Sequence, residues 1–152
     1  MKIIVIYDSK TGNTEKMAKA IAEGAGSVAD VLVKKIGEAF PLTKLAEVDG
    51  VIFGSPVYYA DISNNMKDFL DHIKTYSMAD RKTINKIPAA VFGSYGYDGA
   101  WLMEEKLKDM VKGLGYTTYD DVLVMVDSDL KYNHKEAAKK CREFGKKFAE
   151  SL

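Results

Sequence analysis

The sequence predicts an α/β fold, a five-stranded parallel sheet with helices on both faces, in a single domain over residues 1–152. Three observations predict it. Short apolar, β-branched runs alternate strictly with segments whose apolar residues recur at helical spacing. The runs at 50–54 (GVIFG) and 88–93 (PAAVFG) are almost wholly apolar, as strands are when helices cover both faces. No repeat, low-complexity tract or linker divides the chain.

Each element follows from its residues. Residues 2–7 (KIIVIY) are a β-branched run that ends in polar, Gly-containing sequence, so they read as strand one. Over 14–25, Met17, Ile21 and Ala25 repeat at helical spacing with Ala18 and Ala22 beside them. Residues 30–36 form a less apolar second strand, expected at an edge, and a helical turn over 42–46 leads into strand three at 50–54. Met66, Phe69, Leu70 and Ile73 stripe a helix over 63–76, and 88–93 is strand four. Met103, Leu107, Met110, Val111 and Leu114 align on a helix over 101–114, which Gly115 stops. Residues 117–126 are strand five, and Ala137, Cys141, Phe144 and Phe148 stripe a last helix over 133–152. Such alternation requires parallel strands with right-handed crossovers, and ligands then bind beyond the carboxyl ends of the strands.

Composition narrows the function. Positive and negative side chains balance at 22 each, which argues against a nucleic-acid binder. From Lys131 onward, seven Lys/Arg face three Glu, so the last helix carries a lysine-rich face and the rest of the chain is mildly acidic. The single cysteine, Cys141, excludes an internal disulfide and points to a reducing compartment. No secretory leader is readable at the start, and no apolar run nears the ~20 residues of a bilayer span, so a cytoplasmic protein without a membrane partner is expected.

Three loops then point to one place. After strand one, Ser9, Lys10, Thr11, Gly12, Asn13 and Thr14 put hydroxyls and a glycine at a helix N-terminus, where backbone N–H groups and the helix dipole suit a phosphate. The loop is neither a Walker P-loop nor a Gly-x-Gly-x-x-Gly fingerprint, and such turns also serve as plain helix caps. After strand three, Ser55, Pro56, Val57, Tyr58, Tyr59 and Ala60 set two tyrosines beside a proline, a flat apolar surface with polar ends. After strand four, Ser94, Tyr95, Gly96, Tyr97, Asp98 and Gly99 combine aromatic faces with glycines that permit close backbone approach. A flat, aromatic, monophosphorylated ligand fits all three, and FMN is such a ligand. A phosphoreceiver domain shares the topology but ends strand three in an aspartate, where this chain has Gly54-Ser55.

Residues 9–18 (SKTGNTEKMA) resemble the phosphate loop and first helix of flavodoxins. Residues 90–97 (AVFGSYGY) resemble the third flavin loop of clostridial-type short-chain flavodoxins, and 141–147 (CREFGKK) are similar to their final helix. The resemblance spans essentially the whole chain. It implies a flavodoxin-like three-layer sandwich with strand order 2-1-3-4-5, an order of which flavodoxin is itself the type example. It implies non-covalent FMN, Tyr58 at the inner face of its ring and Tyr97 stacked on the outer face, where relatives usually carry Trp. Tyr59 stands where short-chain flavodoxins commonly have a glycine whose peptide turns over on reduction. The segment 54–58 is more similar to flavin domains of flavodiiron proteins and quinone reductases, although His72 and His134 read as helix-surface residues and not iron ligands.

The implied function is a low-potential electron carrier, monomeric, that meets a reductase and an acceptor transiently. No catalytic acid, base or nucleophile and no metal is implied, because the redox chemistry is the flavin's. Aromatic rings and an acidic rim of Asp61, Asp98 and Asp129 would hold the FMN potential low. Two alternatives stay open: an FMN-dependent NAD(P)H–quinone or flavin reductase, and a partner-specific flavoprotein that activates a metalloenzyme.

Overall fold

Alternation along one strand divides the molecule into two cores. In β1 (Lys2–Tyr7), Ile3, Val5 and Tyr7 pack into one apolar cluster while Ile4 and Ile6 pack into the other, because successive side chains leave a strand on opposite faces. The computed structural model describes residues 1–58, 61–79, 84, 86–96 and 100–152, without the side chains of 79, 100 and 102–104. After β1 come α1 (Asn13–Ala25), β2 (Asp30–Lys35), a 3₁₀ turn (Leu42–Ala46), β3 (Gly50–Tyr58) and β4 (Asp61–Ile62). The chain continues through α2 (Asn64–Ala79), β5 (Pro88–Tyr95), α3 (Ala100–Gly113), β6 (Thr117–Val126), α4 (Asp127–Tyr132) and α5 (His134–Glu150).

The sheet runs β2-β1-β3-β5-β6, parallel throughout, and β4 pairs antiparallel with β3 off that path. Setting the two-residue β4 aside, this is the predicted 2-1-3-4-5 order. The half-polar β2 lies at an edge, as its composition predicts. Above the sheet, α1 and α5 cover Ile52, Ala90 and Phe92 with Met17, Ile21, Cys141, Phe144 and Phe148. Below it, Met66, Leu70 and Ile73 of α2 and Leu107 and Val111 of α3 cover Val51, Phe53, Ala89 and Val91. This is the three-layer sandwich, with two apolar interfaces and one shared sheet.

The helices α1 and α5 meet backbone to backbone. A Cβ built at Gly145 would lie 2.0 Å from the carbonyl oxygen of Ile21, and one at Gly24 would lie 1.9 Å from that of Arg142. The two glycines make this crossing possible. Cys141 sits in the same interface with its Sγ 3.7 Å from Met125 Sδ, and burial pushes its thiol up to about 12, so it is a packing residue.

Five elements differ from the sequence reading, among them the two-residue β4, which was not expected at all. β3 runs four residues past 54 and β5 two residues past 93, so Ser55 to Tyr58 and Ser94 to Tyr95 are strand and not loop. Their parallel pairing carries this far: Ser55 registers with Gly93 and Pro56 with Ser94. The α4 helix occupies a stretch read as a connection, and α5 accordingly begins at His134. Among the described residues, no helix is long and apolar enough to cross a membrane.

Candidate functional site

The carboxyl ends of β1, β3, β5 and β6 open on one end of the sheet. At β1 the chain leaves through Asp8 and Ser9, both buried, and rises to exposed Lys10 and Thr11. Gly12 then turns it into α1 with φ 94°, a left-handed conformation that costs an L-residue roughly 1–2 kcal/mol. The Gly12 N–H donates to Ser9 Oγ at 3.1 Å, and the Asn13 amide donates to Thr11 Oγ1 at 3.3 Å. The helical ladder starts with Lys16 N–H to Gly12 O at 3.0 Å, so the first N–H groups of α1 have no acceptor within the helix. A Cβ at Gly12 would meet nothing within 4 Å, which leaves open space over those donors.

The three predicted loops are tied together by short polar contacts. Thr14 Oγ1 and Ser94 Oγ, both buried, share a hydrogen bond of 2.7 Å that joins the first loop to the third. Asp8 N–H donates to Gly54 O at 3.0 Å, and the Asn65 amide of α2 reaches Asp8 Oδ1 at 3.4 Å, so the first loop is also joined to β3. Ser55 is fully buried; its hydroxyl donates to Pro56 O at 2.9 Å and accepts from Ser63 N–H at 3.1 Å. It therefore braces the second loop from inside, with Val57 and Tyr58 above it pairing to β4. Tyr58 and Tyr95 are partly exposed at the site, and Lys10 Nζ stands 5.8 Å from the centre of the Tyr58 ring. The predicted residues Tyr59, Ala60, Tyr97, Asp98 and Gly99 lie outside the described residues.

One residue at the centre of this arrangement escaped the sequence reading. Asp127, where β6 passes into α4, has a buried Oδ1 with no hydrogen-bond partner. Its Oδ2 lies 3.6 Å from where a Gly96 Cβ would stand. Burial raises its carboxyl above the ordinary range, and the Asn13 amide draws it partway back. The phenol of Tyr58 is raised by its own burial and then by the carboxylates of Asp8 and Asp127. Asp127 thus stands beside Asn13 of the first loop and Gly96 of the third, with an acceptor oxygen to spare. The readable signal was a strand end followed at once by Asp127-Ser128-Asp129.

Asp61, expected as a free rim charge, is engaged. It bonds Lys67 and accepts from Lys106 at 2.9 Å and from Ile62 N–H at 2.8 Å. Burial alone would raise its carboxyl, but those three donors outweigh it and hold the group at about 2. A depressed acid contributes stability that is present above its unfolded value of 3.8 and is lost as pH falls through about 2. Asp61→Asn is therefore expected to lower stability slightly at neutral pH, with the difference from the parent vanishing near pH 2 in acid unfolding followed by circular dichroism. Asp129, His72 and His134 are exposed on helices, and the described residues hold no cluster of His, Cys, Asp or Glu that could bind a metal.

Comparison with known proteins was made against this geometry. The family model described as Flavodoxin matches residues 5–144. A flavodoxin from Clostridium saccharobutylicum is 42% identical over 79 residues, 51% of this chain and 49% of that protein. The protein MJ0732 of Methanocaldococcus jannaschii, described as uncharacterized, is 32% identical over 155 aligned positions, 98% of this chain and 36% of that protein. The chain thus spans about half the length, or less, of these curated relatives. A solved flavodoxin from the domain Archaea superposes with a TM-score of 0.83 at 28% identity, covering 99% of this chain and 98% of that one.

Proposed function

This chain belongs to the flavodoxin family, whose members bind FMN and pass electrons to redox partners, and we propose that it holds FMN non-covalently at this end of the sheet and serves as a low-potential electron carrier. The observation that carries the reading is the cradle at the start of α1. Gly12 is left-handed, its missing Cβ leaves open space, and the unpaired N–H groups of α1 flank it beside the hydroxyls of Ser9 and Thr11. That donor set suits a phosphate dianion. The orphan oxygen of Asp127 supplies the complementary need, an acceptor for the hydroxyl groups of a ribityl chain.

The chain's other residues would position a flat ring. Tyr58 and Tyr95 offer aromatic faces, Gly96 allows backbone approach, and Tyr59, Ala60, Tyr97, Asp98 and Gly99 would complete the second and third loops. FMN supplies the electron chemistry when bound, so the protein's task is to bind, orient and exclude water. The carrier would act as a monomer in the cytoplasm, with its reductase and acceptor met transiently.

Stripped protein titrated with FMN should quench flavin fluorescence with an affinity about 100-fold above that for riboflavin, the difference being the phosphate cradle. Equal affinity for the two would refute the phosphate assignment. Adding NADPH alone to the yellow protein should leave its visible bands unchanged; bleaching would instead make it a reductase. Gly12→Ala is expected to cost about 1 kcal/mol of stability in urea denaturation and to weaken FMN more than riboflavin.

A further inference from the structure

Apart from the three loops, a pocket lies on the outside of the helix layer, between α1 and the corner where α4 turns into α5. It holds about 350 Å³ and is lined by Lys16, Leu130, Lys131, His134, Ala138 and Cys141, none of which belongs to the site described above. Its chemistry is one-sided: α1, α4 and α5 each contribute a nitrogen donor, and no carboxylate lines the walls. Among the described residues, neither Lys16, Lys131 nor His134 takes part in a salt bridge. Lys131 leans on the Tyr132 ring at 5.3 Å, which orients its ammonium without neutralising it. The acids nearest in sequence are engaged elsewhere. Glu15 accepts from the Tyr7 phenol at 2.6 Å, and Asp129 accepts from the Asn133 amide at 3.2 Å. Asp129 and Glu136 open on a separate depression beside β6.

We propose that this pocket binds a small phosphate monoester, its phosphate held by Lys16, Lys131 and His134 and its organic group resting on Leu130, Ala138 and Cys141. Donors on three walls call for acceptor oxygens pointing in three directions, which a phosphate has and a planar carboxylate lacks. His134 donates from a ring N–H in either protonation state. It also opens the 17-residue α5, whose ladder starts with Ala137 N–H to Asn133 O at 3.0 Å, so the helix dipole adds positive potential. The floor competes for none of this. Leu130 and Cys141 are buried, and the thiol is turned to Met125. Such a floor offers nothing to a bare ion, whereas a volume of about 350 Å³ suits a small molecule with an apolar part. The assignment stands apart from the FMN reading, since the two share no residue.

Amide shifts of the isotope-labelled, FMN-saturated protein read the pocket residue by residue. Phenyl phosphate should shift Leu130, Lys131, His134, Ala138 and Cys141, and leave Gly12, Asn13 and Thr14 unmoved. It should bind about tenfold more tightly than inorganic phosphate, the margin being the ring on the apolar floor. Lys16→Gln and Lys131→Gln should each weaken it about fivefold, while Lys147→Gln on α5 leaves it unchanged. Ala138→Leu, which fills the floor, should weaken phenyl phosphate more than inorganic phosphate. The FMN affinity of both lysine variants should stay within about twofold of the parent. Shifts confined to residues 9–14, or indifference to both lysine variants, would overturn the proposal. So would phenyl phosphate binding no tighter than inorganic phosphate, or no tighter than phenol. Failure to bind FMN would sink the carrier reading, while the same map still separated this pocket from the cradle by residue.

Discussion

Gly145→Ala and Gly24→Ala are each expected to lower the melting temperature by about 10 °C, although each adds a single methyl group. The added Cβ would lie 2.0 Å from Ile21 O in the first case and 1.9 Å from Arg142 O in the second. Neither clash can be relieved by a side-chain rotation, because both partners are backbone. α1 and α5 must separate, and Met17, Ile21, Phe144 and Phe148, all buried at that interface, lose contact together. Overpacking of this kind costs about 3 kcal/mol, and in a domain of this size each kcal/mol moves the midpoint by about 3 °C. The double variant should cost less than the sum, since once the helices part both methyls fit. Gly113→Ala is the control: nothing lies within 4 Å of its Cβ, so a helix-favouring residue there should be neutral or slightly stabilising. Thermal melts of the parent and the four variants decide the matter.

Asp127→Leu should move stability and cofactor affinity in opposite directions. Without ligand, the ionised carboxyl keeps a buried oxygen that nothing satisfies, so its removal should stabilise the stripped protein by about 1 kcal/mol. With ligand, that oxygen is the proposed acceptor for the ribityl hydroxyls, and its loss should weaken FMN about tenfold. The pH dependence has a definite sign. A carboxyl raised in the fold costs nothing below its unfolded value of 3.8, where both states are protonated. The cost then grows as pH climbs through the raised folded value and is complete above it. The stabilising effect of Asp127→Leu should therefore appear at neutral pH and vanish near pH 3, in urea denaturation of the stripped protein. A uniform gain at all pH values would mean that the substitution acts through packing.

Much of the fold was legible because its strands lie between two helical layers. A strand covered on both faces has to be apolar at nearly every position, so 2–7 could be bounded to the residue, whereas 117–126 (TTYDDVLVMV) carries a polar first half that fits the other edge of the sheet. The half-polar composition of β2 likewise gave away its edge position. The ends of β3 and β5 were illegible for a physical reason: there the strands serve the site. Ser55, Pro56, Tyr58 and Ser94 are turn-forming or polar types, yet cross-strand pairing and the buried hydroxyl contacts of Ser55 and Ser94 hold them extended. Two residues of antiparallel pairing at β4 leave no pattern to read. Asp127 was hidden because its role comes from convergence. Nothing local in 126–129 shows that its carboxyl stands beside both Asn13 and Gly96. The lysines on Asp61 were equally silent, since Lys106 lies 45 positions away.

The glycine crossing has a mechanical meaning beyond its energy. The helix α1 carries the proposed phosphate cradle at one end and is clamped near the other, about 18 Å away at 1.5 Å per residue. It is a lever whose fulcrum is the last helix of the chain. A small tilt at Gly24 becomes a larger displacement at Gly12, so the fit of the cradle to its anion is set in part by side chains that never approach it. The lysine-rich α5, whose Arg142 and Gly145 lie against Gly24 and Ile21 of α1, is where that alignment is anchored.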